Sequence, residues 1–565
     1  MTTGNETPER PGGPGVPERP GVPERPGVPE RPGVPERPAG RSGAVRITSS
    51  PGATSFVPVI TAATPPRGEP EAEAEAPGPE RASFGHGARG VRVLPHARAR
   101  AVAVLGVGYV GLPTAAVLAH FGHQVSCVDV DEHKIAQLAS GSVPIVEDHL
   151  EDLVRDGLDA GRLRFVTDVA DAVTGCEFVF LCVPTPQGED GSADLSYVEA
   201  AAAAIGPHLE TGAVVVNKST VPVGSTLVVE RVLGRHDVSV VSNPEFLREG
   251  SAVADSLHPE RIVVGAADQS AAARVGELFA GTHAPVLITD ATTAETIKYA
   301  ANAFLATKLS FVNAVASLCE AVGADVRDVI LGLGYDRRIG FDYLRPGPGW
   351  GGSCLPKDTQ ALLRVAEDAG YDFSFLRGAI ATNDEQFDRV VAKVADALRR
   401  SAAVPSSRRG RRRGAEVDDD PPGEAGLDGR VVAVWGLTFK AGTDDLRSSP
   451  AVEIVRRLAG RGAVVRAYDP TVIVPVGADP LRLDGLTGMR GDPVTGAVTA
   501  HPDPYAACTG AGALVVLTEW DEFRLVDFRR VARQLAEPVV VDARNLLDPA
   551  QLRRLGFTYE GIGRR

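Results

Sequence analysis

The run Val102-Ala103-Val104-Leu105-Gly106-Val107-Gly108-Tyr109-Val110-Gly111 constrains this chain more than any other segment. Apolar residues of strand character lead into Gly-x-Gly-x-x-Gly, and an alanine- and leucine-rich helical stretch follows. The first glycine permits a tight turn, and the second lets backbone approach a pyrophosphate. The third lets the helix pack on the strand, so that its positive end faces the phosphates. A second apolar strand, Gln124–Val128, leads to Asp129, eighteen residues after Gly111. A carboxylate there binds ribose hydroxyls and repels an added 2′-phosphate, which points to NAD rather than NADP.

Beyond this unit, short β-branched runs alternate with helical stretches, the pattern of parallel sheets with crossover helices. Strands are expected at Ala101–Leu105, Gln124–Val128, Phe178–Val183, Ala213–Asn217 and Val238–Val241. A long helix is expected from about Thr292 to Val322, and further strands at Val431–Trp435, Val464–Tyr468, Leu514–Leu517 and Pro538–Val541. The fold class is therefore α/β: two Rossmann-like parallel-sheet domains joined by a long central helix, with a disordered Pro-rich amino-terminal tail. The expected divisions are 1–98 (tail), 99–291 (NAD-binding domain), 292–400 (helical dimerisation and catalytic-cysteine region), 401–427 (disordered linker) and 428–565 (second α/β domain). In the tail, Val-Pro-Glu-Arg-Pro recurs at 16–20, 22–26, 28–32 and 34–38, a unit too short and proline-rich to bury a core. The linker turns from Arg-rich to Asp/Pro/Gly-rich, so it does not read as a nucleic-acid patch.

At 565 residues the chain is too long for one core. Its net charge of −14 argues against nucleic acid as a general partner. Six scattered cysteines have no metal-type pairing and suit a reducing compartment. No apolar run approaches the roughly 20 residues that span a bilayer, so the expectation is a cytoplasmic protein with no membrane partner and no metal.

The chemistry concentrates in Gly349-Trp350-Gly351-Gly352-Ser353-Cys354-Leu355-Pro356-Lys357-Asp358. A cysteine on a glycine-dense loop reads as a thiol placed to attack a carbonyl, with Lys357 positioned to bias it toward thiolate. Pro184-Thr185 and Ser219-Thr220 follow strands, at the carboxyl ends where α/β sheets bind ligands. Lys298 and Asn302 stand four apart on one helix face. Three further segments complete the set: Asn243-Pro244-Glu245-Phe246-Leu247-Arg248-Glu249-Gly250, Arg338-Ile339-Gly340, and Gly436-Leu437-Thr438-Phe439-Lys440 with Asp444-Asp445-Leu446-Arg447. The last opens the second α/β domain on an incomplete glycine motif, which need not hold a dinucleotide.

Six separated motifs, in this order over about residues 99–565 outside the linker, resemble the nucleotide-sugar 6-dehydrogenases of the UDP-glucose/GDP-mannose dehydrogenase family. The Asn243–Gly250 wording and Arg338-Ile339-Gly340 look most like the UDP-glucose branch. The resemblance implies NAD-dependent oxidation of a primary alcohol to a carboxylate in two hydride transfers. Cys354 forms a thiohemiacetal and then a thioester, and water releases the acid. Glu245 activates that water, Asp358 assists proton transfer through a water, and Thr220 orients a bridging water. Lys298 and Asn302 stabilise oxygen as it gains negative charge. By the same resemblance the cofactor contacts are Gly106, Gly108, Tyr109, Val110, Gly111, Asp129, Lys134, Pro184, Thr185, Ser219, Thr220, Glu249, Lys357 and Arg447. The substrate contacts are Glu245, Phe246, Leu247, Arg248, Lys298, Asn302, Arg338, Tyr343, Arg345, Gly349, Gly351, Phe439, Lys440 and Arg544.

The implied partners are UDP-glucose or a related nucleotide sugar and a second copy of the chain, as a homodimer or higher homo-oligomer, with Arg338 reaching the neighbour's site. Arg345 stands where animal members of the family carry lysine, and Trp350 replaces a usual phenylalanine, a change expected to alter pocket size. GDP-mannose or a UDP-N-acetylhexosamine remains open as substrate. So does a different class of function: a catalytically silent nucleotide-sugar-binding scaffold acting through its Pro-rich tail.

Overall fold

The computed structural model describes residues 98–188, 193–403, 427–475, 481–482 and 498–564. The proline-rich repeats expected to be disordered, and nearly all of the linker expected over 401–427, lie outside the described residues. Among the described residues the chain forms two sheets. The first comprises β1 (Ala101–Leu105), β2 (Gln124–Val128), β3 (Leu163–Val166), β4 (Phe178–Leu181), β5 (Val214–Asn217), β6 (Ser239–Ser242), β7 (Ile262–Gly265) and β8 (Val286–Thr289), in the order 3-2-1-4-5-6-7-8. Every neighbouring pair is parallel except β6 with β7. The second comprises β9 (Val431–Trp435), β10 (Val464–Tyr468), β11 (Leu481–Arg482), β12 (Val498–Ala500), β13 (Ala513–Val516), β14 (Val539–Asp542) and β15 (Thr558–Gly561), in the order 11-12-10-9-13-14-15. Only its β11–β12 edge is antiparallel.

Continuous apolar runs suit these strands because both sheet faces are covered. Val102 and Val104 of β1 enter one core, while Ala103 and Leu105 enter the other. Strand β9 repeats the arrangement, with Val432 and Val434 on one side and Ala433 and Trp435 on the other. In each sheet the strand order reverses beside the first strand, between β1 and β4 and between β9 and β13. That opens a crevice at the carboxyl ends of the strands.

Two long helices connect the halves. The central helix (Ala291–Val322) starts on an Asp290 cap, whose side chain accepts from the Thr293 amide, and stops at left-handed Gly323. By length and composition it is apolar enough to cross a membrane, which the sequence reading did not anticipate. It nevertheless buries Glu295, Lys298, Asn302, Ser310 and Asn313, and it packs on the helices Leu355–Asp368 and Ser374–Ala403. Such polar burial marks a core helix with work to do inside the protein.

Candidate active site

The Gly106–Gly111 turn is shaped by backbone contact. Gly106 sits at φ +89°, and a side chain there would meet the Cys182 carbonyl oxygen at 2.5 Å. Its amide donates to the Val128 carbonyl at 2.8 Å, joining the turn to the end of β2. A side chain at Gly108, by contrast, would meet nothing within 4 Å. An open cradle therefore lies before the amino terminus of the helix Gly111–His120, where a pyrophosphate is favoured. Asp129 closes one side: it accepts from the Val107 amide at 2.9 Å and from Lys134 Nζ at 3.4 Å. Tyr109 leaves the turn toward the second sheet, where its hydroxyl donates to Asp444 at 2.7 Å.

The second sheet carries a matching turn that is closed. Gly436 sits at φ +92° and its amide donates to the Tyr468 carbonyl at 2.8 Å, as Gly106 does to Val128. Asp469 holds the place of Asp129, accepting from Leu437 at 2.7 Å. Where the first turn has open Gly108, this one has Thr438, fully buried and bonded through its own amide to Asp469 at 3.1 Å. The incomplete motif thus has no cradle for a dinucleotide.

Between the two turns lies a buried polar cluster. Lys298 Nζ donates to Glu245 Oε1 at 2.7 Å, and both side chains are almost wholly buried. Thr220 Oγ1 reaches the same oxygen at 3.4 Å, and the Leu247 amide donates to the other carboxylate oxygen at 2.6 Å. Burial pushes Glu245 up, but the Lys298 ammonium, its hydrogen bond and the Leu247 amide outweigh it and hold the carboxyl below its usual range. Burial likewise opposes the charged form of Lys298, and Glu245, Cys354 and Asp358 reverse that, so the ammonium is raised. One helical turn along, Asn302 Nδ2 donates to Asp358 Oδ2 at 2.6 Å, and Lys357 Nζ donates to Asp358 Oδ1 at 2.8 Å.

Cys354 is the cap residue of the helix Leu355–Asp368. Its thiol is pushed up to about 11, first by burial and then by the Glu245 charge; Lys298 pulls the other way, Asp358 pushes up, and the Ser353 hydroxyl lowers it. This corrects the expectation for Lys357. Lys357 pairs with Asp358, and the cation that acts on the sulfur is Lys298. The thiol is the resting form.

Most of the remaining expected residues are fixed by local contacts. Thr185 Oγ1 donates to the Thr220 carbonyl at 2.8 Å, Ser219 Oγ donates to Val183 at 2.8 Å, and Pro184 stands exposed beside them. The Phe246 ring lies 3.9 Å from the Arg261 guanidinium and 5.7 Å from Lys298 Nζ, while Arg248 pairs with Asp255. A side chain at Gly352 would meet the Phe439 ring at 2.9 Å, and the Phe439 carbonyl accepts from Arg544 at 2.8 Å. Lys440 stands over the Phe439 ring, its ammonium lowered by burial. Gly349 packs near the Asn383 amide oxygen, Gly351 against Pro450, and Tyr343 adopts φ +59°. Arg447 lies over the Tyr109 ring, pairing with Asp445 at 2.8 Å and with Glu249 at 3.3 Å.

Two expected residues are not gathered in. Arg338 is 87% exposed and pairs only with Asp336, and Arg345 is exposed. Trp350 also differs from expectation. Its indole donates to Ser310 at 2.8 Å, and its backbone exchanges hydrogen bonds with Asn383. Buried between the long helices, Trp350 anchors the cysteine loop through these bonds. Several groups went unassigned in the sequence. Lys218 donates to Asn243 at 3.1 Å and is pushed down to about 8 by burial. Ser353 donates to Glu249 at 2.6 Å, and Asp445 joins that cluster. Ser353 and Asp445 lie inside the quoted motifs and Lys218 directly precedes Ser219-Thr220, so position in or beside a motif was the available signal. Asn383 and Gln386, which hold Trp350 and the Gly347 carbonyl, carry none.

Among the described residues no group of three or more His, Cys, Asp or Glu is arranged to hold a metal. An open dinucleotide cradle, a cysteine facing a buried lysine–carboxylate pair and a second nucleotide-type sheet define an NAD-dependent dehydrogenase class. Residues 100–283 match the NAD binding domain of the UDP-glucose/GDP-mannose dehydrogenase family, residues 292–385 its central domain and residues 433–549 its UDP binding domain. The chain is 43% identical to a UDP-glucose 6-dehydrogenase of Pseudomonas aeruginosa over 472 residues, covering 82% of this chain and 97% of that protein. It is 41% identical to one of Bacillus subtilis, over 82% of this chain and 93% of that protein. A UDP-glucose dehydrogenase structure from Pyrobaculum islandicum superposes with TM-score 0.70 at 35% identity, covering 84% of this chain and all of that one. The chain belongs to the UDP-glucose/GDP-mannose dehydrogenase family. It is an NAD-dependent nucleotide-sugar 6-dehydrogenase.

Proposed function

We propose that this enzyme oxidises UDP-glucose to UDP-glucuronate in two NAD-dependent steps through a covalent intermediate on Cys354. The observation that carries this reading is the buried Lys298–Glu245 pair, both of whose charges act on the Cys354 thiol. NAD, one molecule for each oxidation, would supply the hydride acceptor when bound in the Gly106–Gly111 cradle. In the first step Lys298 and Asn302 donate hydrogen bonds to the C6 oxygen as its proton leaves, and Asp358 takes that proton through a water. The Cys354 sulfur then bonds to C6 of the aldehyde while the thiol proton passes to the aldehyde oxygen. No free thiolate is required, in keeping with a thiol pushed up to about 11. Loss of the second hydride from C6 of this thiohemiacetal, with its hydroxyl proton passing to Asp358 through water, gives a thioester. Glu245, steered by Thr220 and kept ionised by Lys298, takes a proton from water as the hydroxide adds to the acyl carbon, and gives it to the sulfur as the C6–S bond breaks and the thiol leaves.

In this reading Gly106, Gly108, Tyr109, Gly111, Asp129, Thr185, Glu249 and Arg447 hold NAD, and Phe439, Lys440 and Arg544 hold the UDP end of the substrate. The chain works as a homodimer, in which exposed Arg338 reaches the neighbour's site. The test uses purified protein with NAD and UDP-glucose, GDP-mannose or UDP-N-acetylmannosamine. The highest kcat/KM is expected with UDP-glucose, with two NADH for each UDP-glucuronate formed. A higher kcat/KM for another sugar, or no turnover with UDP-glucose, contradicts the assignment.

A further inference from the structure

A second concave site lies far from the cysteine. A cavity of about 530 Å³ opens between the carboxyl-terminal ends of the central helix and of the helix Ser374–Ala403, against the last strand, β15. Ser317 on its wall is nineteen residues beyond Lys298 on the same helix, roughly 28 Å at about 1.5 Å per residue. The cavity belongs to neither nucleotide crevice.

Its charge is distinctive. Arg389, Lys393, Arg400, Arg553 and Arg564 face three carboxylates, Glu320, Asp396 and Glu560. The excess is positive in a chain whose net charge is −14, so the site concentrates anions against the general field. Some of these cations are satisfied: Lys393 pairs with Glu320 at 3.0 Å and Arg400 with Glu560 at 2.9 Å. Arg389 binds the Ser317 hydroxyl and lies 3.4 Å from Glu385. Asp396 is taken by Arg399. Arg553 and Arg564 differ. Both lie against the Tyr559 ring, at 5.8 and 6.0 Å, and neither guanidinium forms an ion pair or hydrogen bond among the described residues. The nearby carboxylate Asp325 feels the Arg564 charge but is hydrogen-bonded to Arg327.

Arg564 is the informative member, because it is only 8% exposed. Its guanidinium has no carboxylate partner among the described residues, and an oxyanion that accepts from it gains charge-assisted hydrogen bonds. Its planar fork suits phosphate oxygens, and Arg553 on the same ring supplies a second fork. We propose that this cavity binds a small multivalent oxyanion of the phosphate class, held by Arg564 and Arg553. Gln386 lines the cavity and also donates to the Gly347 carbonyl at 2.8 Å, which joins the cavity wall to the segment that precedes the cysteine loop.

The test titrates full-length protein with inorganic pyrophosphate by calorimetry at low salt, with UDP and NAD saturating so that the crevice phosphate positions are filled. One saturable event per chain is expected, weakened at least tenfold by Arg564→Gln and by Arg553→Gln. Arg529→Gln, which removes an exposed arginine outside the cavity, leaves it within twofold. Arg553 is itself exposed, so Arg553→Gln decides the matter even where Arg564→Gln fails to fold. Absence of saturable binding, or an affinity within twofold of wild type in Arg553→Gln, overturns the proposal.

Discussion

At the scale of single residues the site is a set of opposed burials. Glu245 and Lys298 are each taken out of water, and each holds the other charged; such a pair specifies geometry more than it adds stability. Glu249 is the reverse case. Burial and then the Asp445 carboxylate push it up to about 7, while the Ser353 hydroxyl and Arg447 pull the other way. One of its oxygens takes the Ser353 hydroxyl and the other finds no donor. The unfolded carboxyl titrates near 4.5, so the folded protein holds this proton more tightly. Stability from this group therefore falls as pH rises from about 4.5 to about 7, and above that the loss is complete. Glu249→Gln removes the titration. In the ligand-free protein its melting temperature is expected to gain on wild type as pH rises through that window, by a few degrees on the order expected for about 1–3 kcal/mol, and then to level off. Parallel pH profiles contradict this account.

At the scale of elements, the central helix shows what one segment of sequence can and cannot declare. Its extent was legible to within a residue, Thr292–Val322 expected against Ala291–Val322 found, because apolar periodicity runs on without a breaker. Its two faces have different tasks. Lys298, Asn302, Ser310 and Asn313 point into the protein, while Phe304, Phe311 and Leu318, spaced by seven, are 64, 55 and 59% exposed. In the proposed homodimer this stripe would be the contact surface for the second copy. Phe311→Asp is expected to move the sedimenting species from a dimer or larger assembly to the monomer. An unchanged mass, or a wild type already monomeric, contradicts it. Short strands were harder to read. β3 is Leu163-Arg164-Phe165-Val166, and its arginine leaves the sheet to bind Ser126 and Asp171. β7, β8 and β15 also fell outside the expected runs; β15, Thr558-Tyr559-Glu560-Gly561, carries no apolar run that marks a buried strand.

At the scale of the whole molecule, the site is assembled from pieces far apart in the chain. Glu245 follows β6, Lys298 and Asn302 come from the central helix, Cys354 and Asp358 from a helix start, and Phe439, Lys440 and Arg544 from the second sheet. The Tyr109–Asp444 and Glu249–Arg447 contacts tie the two crevices together. Sequence motifs named these residues because backbone demands and chemistry restrict their types. They did not reveal partnerships: that Lys298 rather than Lys357 acts on the sulfur, or that Trp350 anchors to Ser310, depends on how the helices pack. Those contacts are tertiary, and no local pattern encodes them. The most direct measurement of the central claim is peptide mass spectrometry on Glu245→Gln protein, acid-quenched after incubation with UDP-glucose and NAD. With water activation removed, the sugar-derived acyl group is predicted to accumulate on Cys354 alone. UDP-glucuronate formed at the wild-type rate with no adduct on that cysteine would contradict the account.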